Sequence, residues 1–408
     1  MSRFIPATKV TVELRFDQDT ILPVGRLAIK DRVIFFEYDA TFIHTDLQIS
    51  PFRLPLKSGL IRSDPHLFEG LPGVFNDSLP DGWGRLLLDR KLRSHQIEPA
   101  RCSPLDRLCA VGQQAIGALT YLPDYSDISE QDMPLNLANL AEQAALIQEK
   151  AEFSEQLFRL NGSSAGARPK ALIGLHAQDA QIIPGVGDVP AGFQHWIVKF
   201  NQTYDDPQSG LIEYAYARMA QLAGVEMPAV RLLQERYFAT QRFDRQHNQR
   251  RHVVSACGLL HADFRTPCLD YQDLIRACSV LTRSVRQVEK LYRLAVFNVL
   301  SHNRDDHAKN FSFILDKTGD WIFSPAYDIT YSSGPNGEQS TLLMGESQQF
   351  TRKDLTDLAK LTDIRPDQAL TIIEQTTQAL SQWPAIAAEL GIVPDTIRTI
   401  ARRHTLHP

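Results

Sequence analysis

The sequence predicts an α+β fold in which a small β-rich N-terminal subdomain precedes a larger, mainly α C-terminal domain, and three stretches carry that prediction. Residues 8–56 alternate apolar and polar side chains in short runs such as KVTVELRF and DRVIFFEY, broken at Pro23, Gly25 and Asp31, which is the period of half-buried antiparallel strands. QVEKLYRLAVFNVLSHN sets Val288, Leu291, Leu294, Ala295 and Leu300 along one helical stripe and so delivers a polar run at the end of a buried helix. After residue 350, RKDLTDLAKLTDI, PDQALTIIEQTTQALSQW and VPDTIRTIARRH are amphipathic helices with Pro366 and Pro394 in first turns.

The order along the chain divides it into four parts. Residues 1–123 form the N-terminal subdomain: strands to about residue 60, then NDSLPDGWGRLLLDRKLRSH, where Pro80 and Asp81 start a helix carrying Leu86, Leu87, Leu88 and Leu92, then LDRLCAVGQQAIGALTYLP, a helix end running into a strand. Residues 124–155 begin polar and end in a helical connector. Residues 156–350 mix helix and strand, and 351–408 make a helical cap. Two or three domains suit 408 residues, and there is no internal repeat or notable low-complexity segment.

A balance of 43 basic against 48 acidic residues, net charge −5, gives no basic footprint, so direct nucleic-acid binding is not expected. The five cysteines, Cys102, Cys109, Cys257, Cys268 and Cys278, form no C-x-x-C pair and read as small core residues of a cytoplasmic protein. The first residues hold no apolar signal region, and no stretch approaches the apolar length of a membrane span.

The polar run SHNRDDHAKNFSFILD concentrates the chemistry. FSFIL and WIFS, divided by DKTGD, read as a hairpin, and PAYDIT follows with an acid just beyond it. The resulting order of helix, polar loop, hairpin and aspartate is what phosphoryl transfer needs, because that reaction rests on positioning and charge neutralisation. One carboxylate orients the attacking hydroxyl, while an amide oxygen and a second carboxylate hold Mg²⁺. Asp305-x-x-x-x-Asn310 has the protein-kinase spacing and Asp328 lies eighteen residues further on, whereas Asp306 misses the spacing by one. His302, His307 and Asp305 do not match a familiar zinc spacing, and His307 reads as a group that orients the loop.

A phosphate cradle and a lysine should then lie upstream. NGSSAGARPKALIGL is a Gly/Ser-rich loop entering a strand, neither a Walker loop nor G-x-G-x-x-G, and a flexible hairpin loop is an equal reading. HWIVKF places Lys199 near a strand end, where a phosphate-pairing lysine or a merely solvated one would sit. PGVG at 184–187 reads as a hairpin turn. GLIEYAYARMAQLAGVEMP is a helix closed by Gly224, and Glu213 on it is a positional candidate to pair with Lys199. YFATQRFDR is a strand whose Gln241–Phe243 backbone could serve as an adenine hinge, while Arg242, Asp244 and Arg245 could equally be a structural ion-pair knot.

SSAGARPKALI, HWIVKF, RFDR, DDHAKNFSF and SPAYDI, in this order, resemble the HipA family, the kinase toxins of bacterial toxin–antitoxin modules, and FNDSLPDGWGRLLLDR and AVGQQAIGAL resemble that family's N-terminal subdomain. The resemblance implies a two-lobed kinase fold using ATP and Mg²⁺, with Asp305 catalytic and Asn310 and Asp328 binding the metal. It further implies that Lys199 contacts the ATP phosphates, joined by Ser163 and by backbone donors of Ser164, Ala165 and Gly166. His307 and Lys309 join the nucleotide site, Gln241 and Phe243 form the hinge, and Ser163 is an autophosphorylation site. The implied activity is phosphorylation of a serine or threonine on a protein such as an aminoacyl-tRNA synthetase, with arrest of growth, under restraint by a HipB-like DNA-binding antitoxin. Arg168-Pro169 departs from the more polar pair usual in that loop, and Pro169 removes a donor and stiffens it. A small-molecule phosphotransferase of the aminoglycoside-kinase kind would share Asp305, Asn310 and Asp328, and an inactive binding partner within a toxin–antitoxin complex is the alternative from another class.

Overall fold

The alternating N-terminal stretches fold into an antiparallel sheet, here seen in a computed structural model that describes residues 6–126, 134–150, 152–164, 166–178, 181–202, 206–266 and 268–406. Strands β1 (Lys9–Arg15), β2 (Ile21–Lys30), β3 (Val33–Tyr38), β4 (Ile61–Arg62) and β5 (Leu119–Leu122) take the order β4-β3-β2-β1-β5. Period-2 patterning places Val10, Val12 and Leu14 of β1 on the buried face. Helices α1 (Gly73–Asn76), α2 (Gly82–Ser94) and α3 (Pro104–Val111) lie between β4 and β5. Helix α3 opens with Pro104 and a reciprocal capping box between Ser103 and Asp106.

Helices α4 (Leu137–Lys150) and α5 (Glu155–Asn161) lead to a second sheet of β6 (Lys170–His176), β7 (Ile182–Pro184), β8 (Phe193–Lys199), β9 (Val230–Leu233) and β10 (Tyr237–Gln241), ordered β7-β6-β8-β10-β9. Helix α6 (Ser209–Leu222) joins β8 to β9. The PGVG segment is not the hairpin turn its composition suggests. Strands β7 and β8 flank β6 on opposite sides, so the segment crosses over, with Gly185 so close to Ile173 that an added Cβ would lie 2.1 Å from its backbone carbon.

A short hairpin, β11 (Arg245–Gln246) and β12 (Gln249–Arg250), precedes β13 (His252–Ser255), α7 (Ala256–Leu260), β14 (Leu269–Asp270), α8 (Tyr271–Thr282) and α9 (Val285–Leu300). The expected hairpin after the polar loop is β15 (Ser312–Leu315) with β16 (Trp321–Phe323), and β15 also pairs with β13. Strand β17 (Thr341–Leu342) runs parallel to β14. The C-terminal helices are α10 (Arg352–Ala359), α11 (Pro366–Ser381), α12 (Trp383–Glu389) and α13 (Pro394–Ala401). No helix among the described residues is long and apolar enough to cross a membrane.

Two cores explain how the parts hold together. One runs from Val12, Phe36 and Tyr121 of the first sheet through Cys257 and Tyr271 to Leu294, Ile372 and Trp383. The other lies under the second sheet, where Trp83 and Leu87 of α2 pack with Leu157, Ile173, Trp196 and Val198. The N-terminal subdomain therefore contributes to both. Four cysteines are buried as expected of core residues, while Cys268 is exposed, on the loop that leads into β14.

Arg242, Asp244 and Arg245 form the ion-pair knot. Arg242 grips the Asp244 carboxylate with two bonds of 2.9 and 2.8 Å, and Arg245 Nη1 donates to it at 2.6 Å. The same carboxylate accepts from Gly117 N–H at 2.8 Å, tying the turn between β10 and β11 to the segment before β5. Removing one partner of such a buried cluster strands the other charges. Asp244→Ala should therefore cost about 3–5 kcal/mol of stability, read as an early denaturant-unfolding transition; a transition within error of wild type would contradict the tie.

Candidate active site

The polar loop hangs from the C-terminus of α9 and separates its adjacent carboxylates. Asp306 is 0% exposed, with Oδ2 accepting from Tyr271 OH at 2.5 Å and Oδ1 from Thr341 N–H at 3.1 Å. Burial pushes its pKa up to about 7. Asp305 instead faces solvent. Partial desolvation raises its pKa and the charge of Asp328 adds to the rise, against the pull of His307, Arg168 and Lys199. Of the two neighbours, Asp305 is the exposed one.

The loop is closed on itself. Asn310 Nδ2 donates to the Asp305 carbonyl at 2.7 Å, which leaves its amide oxygen with ligand capacity. His307 caps the short 3-10 turn Ala308–Asn310, with Nδ1 accepting from Lys309 N–H at 3.3 Å and its ring against Phe264 at 5.4 Å. Asp328 follows β16 in the left-handed region, at φ 55°. Its neighbour Tyr327 donates to the Lys309 carbonyl at 2.6 Å, so the two ends of the site are held in register.

Lys199, at the end of β8, is bonded at 2.5 Å both to Glu213 of α6 and to Asp328. The positional pairing of Lys199 with Glu213 is thus present as a contact, and Arg168 reaches the other Glu213 oxygen at 3.5 Å. Burial alone would lower the Lys199 pKa, but Asp328 and Glu213 outweigh it and the net direction is up. The Lys199 charge in turn holds Asp328 far below the usual carboxylate range. Lys170, paired in register with Lys199 across β6 and β8, is lowered to about 8 by burial and by the Lys199 charge. Asn310 and Asp328 offer hard oxygen donors, and the Lys199 charge favours the ionised form of Asp328, which is the donor chemistry Mg²⁺ takes.

The Gly/Ser-rich loop is engaged elsewhere. Ser163 is 1% exposed and its Oγ accepts from Ile116 N–H of the N-terminal subdomain at 2.8 Å. The Ser164 N–H donates to Asn161 O at 3.2 Å and the Gly166 N–H to Asp81 Oδ1 at 2.5 Å, so neither is open to a phosphate in this arrangement; Ala165 lies outside the described residues. Lys309 is likewise engaged by the N-terminal subdomain. Its ammonium, 4.7 Å from the centre of the Phe264 ring, pairs with Asp81 Oδ2 at 2.5 Å, because two acids of the N-terminal subdomain, Asp81 and Asp77, supply its counter-charge.

Gln241 ends β10 and its N–H donates to Ala229 O at 2.8 Å, while the Phe243 ring lies 5.4 Å from that of Tyr327, beside Asp328. Asp81 is legible in the sequence only as a helix start, and Asp77 is not marked there at all. The density of turn and acidic residues in NDSLPDGWG was the available signal, and nothing local tied it to a loop more than 200 residues away.

Residues 162–383 match the family described as the HipA-like C-terminal domain, and residues 20–122 match the HipA N-terminal domain. Among solved structures, the chain is similar to HipA in the Shewanella oneidensis MR-1 complex of HipA, HipB and operator DNA, with a TM-score of 0.68, 17% identity, and coverage of 96% of this chain and 95% of that one. A looser likeness, TM-score 0.34 at 12% identity over 52% of this chain and 88% of that one, is to the Helicobacter pylori proinflammatory kinase CtkA.

The buried Asp306 sets a pH dependence. The folded chain holds that proton up to about pH 7, whereas the unfolded chain releases it near the ordinary carboxylate value of roughly 4. Stability is then greatest below that window and falls as pH rises through it, by up to about 1.4 kcal/mol per unit. Asp306→Asn, which mimics the neutral acid, should flatten the decline in denaturant midpoint between about pH 4 and 7; an unchanged slope would assign it to other groups.

Proposed function

The chain belongs to the HipA family, and from that premise together with the geometry of its polar loop we propose that it is an ATP- and Mg²⁺-dependent protein serine/threonine kinase. The observation that carries the reading is the ion-paired trio Lys199, Glu213 and Asp328 beside a solvent-facing Asp305. Lys199 is charged and fixed on a strand, with Glu213 and Asp328 setting the position of its ammonium. Mg²⁺, when bound, would neutralise triphosphate charge, held by Asn310 and Asp328.

The hydroxyl oxygen of a substrate serine or threonine attacks the γ-phosphorus, the bond to the β–γ bridging oxygen breaks, ADP leaves, and the hydroxyl proton passes to the Asp305 carboxylate. Partial desolvation and the charge of Asp328 make Asp305 a stronger base than an ordinary surface aspartate. The Asn310 bond to the Asp305 backbone keeps that base and one metal-binding oxygen at a fixed separation.

The family resemblance supplies the substrate and partner classes: a serine on a protein of the translation apparatus, such as an aminoacyl-tRNA synthetase, and restraint by a HipB-like antitoxin, the kind of chain present in the Shewanella complex. Ser163 belongs to the same proposal as the residue that takes phosphate from the enzyme itself. Its hydroxyl is held by Ile116 N–H, so the loop must undock before it is modified. A phosphate of roughly −1.5 to −2 charges would then oppose return to the buried seat.

Transfer from γ-labelled ATP, read by peptide mass spectrometry of the protein itself, tests the assignment. Asp305→Asn should reduce transfer about 10²–10⁴-fold while leaving Mg-ATP binding within a few-fold, and Asp306→Asn should remain active. The reverse pattern would move the base by one position. Label should fall on Ser163 in the active protein and not in the Asp305→Asn variant; fully active protein with unmodified Ser163 rules out the switch. Asp328→Ala should weaken ATP binding in Mg²⁺ but not in EDTA, and equal loss in both would remove its metal role.

A further inference from the structure

Asp81 stands at the N-cap position of α2, where an aspartate side chain ordinarily accepts from the first-turn amides of its own helix, yet it makes no such bond. Its two oxygens are spent across the subdomain boundary instead. Oδ1 accepts from the Gly166 N–H of the Gly/Ser-rich loop and Oδ2 from the Lys309 ammonium of the catalytic loop, each at 2.5 Å. The carboxylate is only 12% exposed and Lys309 only 8%, so both charges lie largely out of water and depend on each other.

The surrounding backbone fits that task. Trp83 N–H donates to Gly166 O at 3.1 Å, so both polar groups of the Gly166 backbone are held by the start of α2. Gly82 has φ 42° and an added Cβ would lie 2.7 Å from Ala167 Cα, so only glycine lets the loop approach this closely. On the other side, Lys309 precedes Asn310 in the chain and its carbonyl accepts from Tyr327, next to Asp328.

We propose that Asp81 is a positioning residue of the phosphotransfer site, one carboxylate from the N-terminal subdomain that fixes the Gly/Ser-rich loop and the catalytic loop at a single separation. The proposal deepens the kinase reading and rests on it. The loop cannot undock without giving up the Asp81 to Gly166 bond, so this contact also sets how often Ser163 leaves its seat.

Amide hydrogen exchange on the full-length, nucleotide-free chain, paired with calorimetric titration of Mg-ATP, tests it. In Asp81→Ala, exchange should rise about tenfold or more in residues 162–170 and 305–310 while the interior of α2 stays protected, and the Mg-ATP dissociation constant should rise by a similar factor. Asp81→Asn keeps an acceptor for Gly166 but loses the charge facing Lys309, so it should loosen 305–310 more than 162–170. Should Asp81→Ala fail to fold, Asp81→Asn and Lys309→Met form a cycle in which the double variant loses no more ATP affinity than the worse single variant. Unchanged exchange in both loops with affinity within twofold of wild type, or additive losses in the cycle, overturns the positioning role. A wild-type chain that binds no nucleotide overturns the kinase reading and this proposal with it, whereas wild-type binding that is indifferent to Asp81 overturns this proposal alone.

Discussion

Ammonium groups withdrawn from water dictate the layout of this protein. A lysine in such a place must be met by a carboxylate, since an unpaired buried charge costs several kcal/mol. Lys199 is met by Glu213 from α6 and Asp328 from beyond β16, and Lys309 is met by Asp81 from the N-terminal subdomain with Asp77 nearby. Two of these pairings join residues 129 and 228 positions apart, so satisfying the charges brings the elements of the candidate site together. The Asp244 knot does the same for the segment before β5.

The N-terminal subdomain is therefore more than an appendage. Its segments reach the Ser163 hydroxyl through Ile116, the Gly166 backbone through Asp81 and Trp83, and the Asp244 carboxylate through Gly117. Helix α2 adds Trp83 and Leu87 to the core beneath the second sheet. A change in how that subdomain docks would be felt at both loops, because the contacts are charged or backbone bonds with little freedom to stretch.

Local pattern carried much of this into the sequence. The strands of the first sheet, α9, the β15–β16 hairpin and the C-terminal helices follow from hydrophobic period and turn chemistry, and the Asp305, Asn310 and Asp328 spacing follows from a chemistry whose parts lie within one short stretch. What sequence could not show were contacts set by long-range charge pairing. The pairing of Lys309 with Asp81, and the engagement of the Ser164 and Gly166 amides by Asn161 and Asp81, had no local signal. PGVG has the composition of a hairpin turn but crosses over β6, because strand order is decided by packing and not by the turn residues.

Calorimetric titration of ATP into the wild-type protein, with Mg²⁺ and then with EDTA, tests the central claim most directly. The arrangement of Lys199, Asn310 and Asp328 predicts saturable one-site binding in Mg²⁺ that weakens sharply when the metal is removed. Absence of binding, or binding indifferent to the metal, would contradict it.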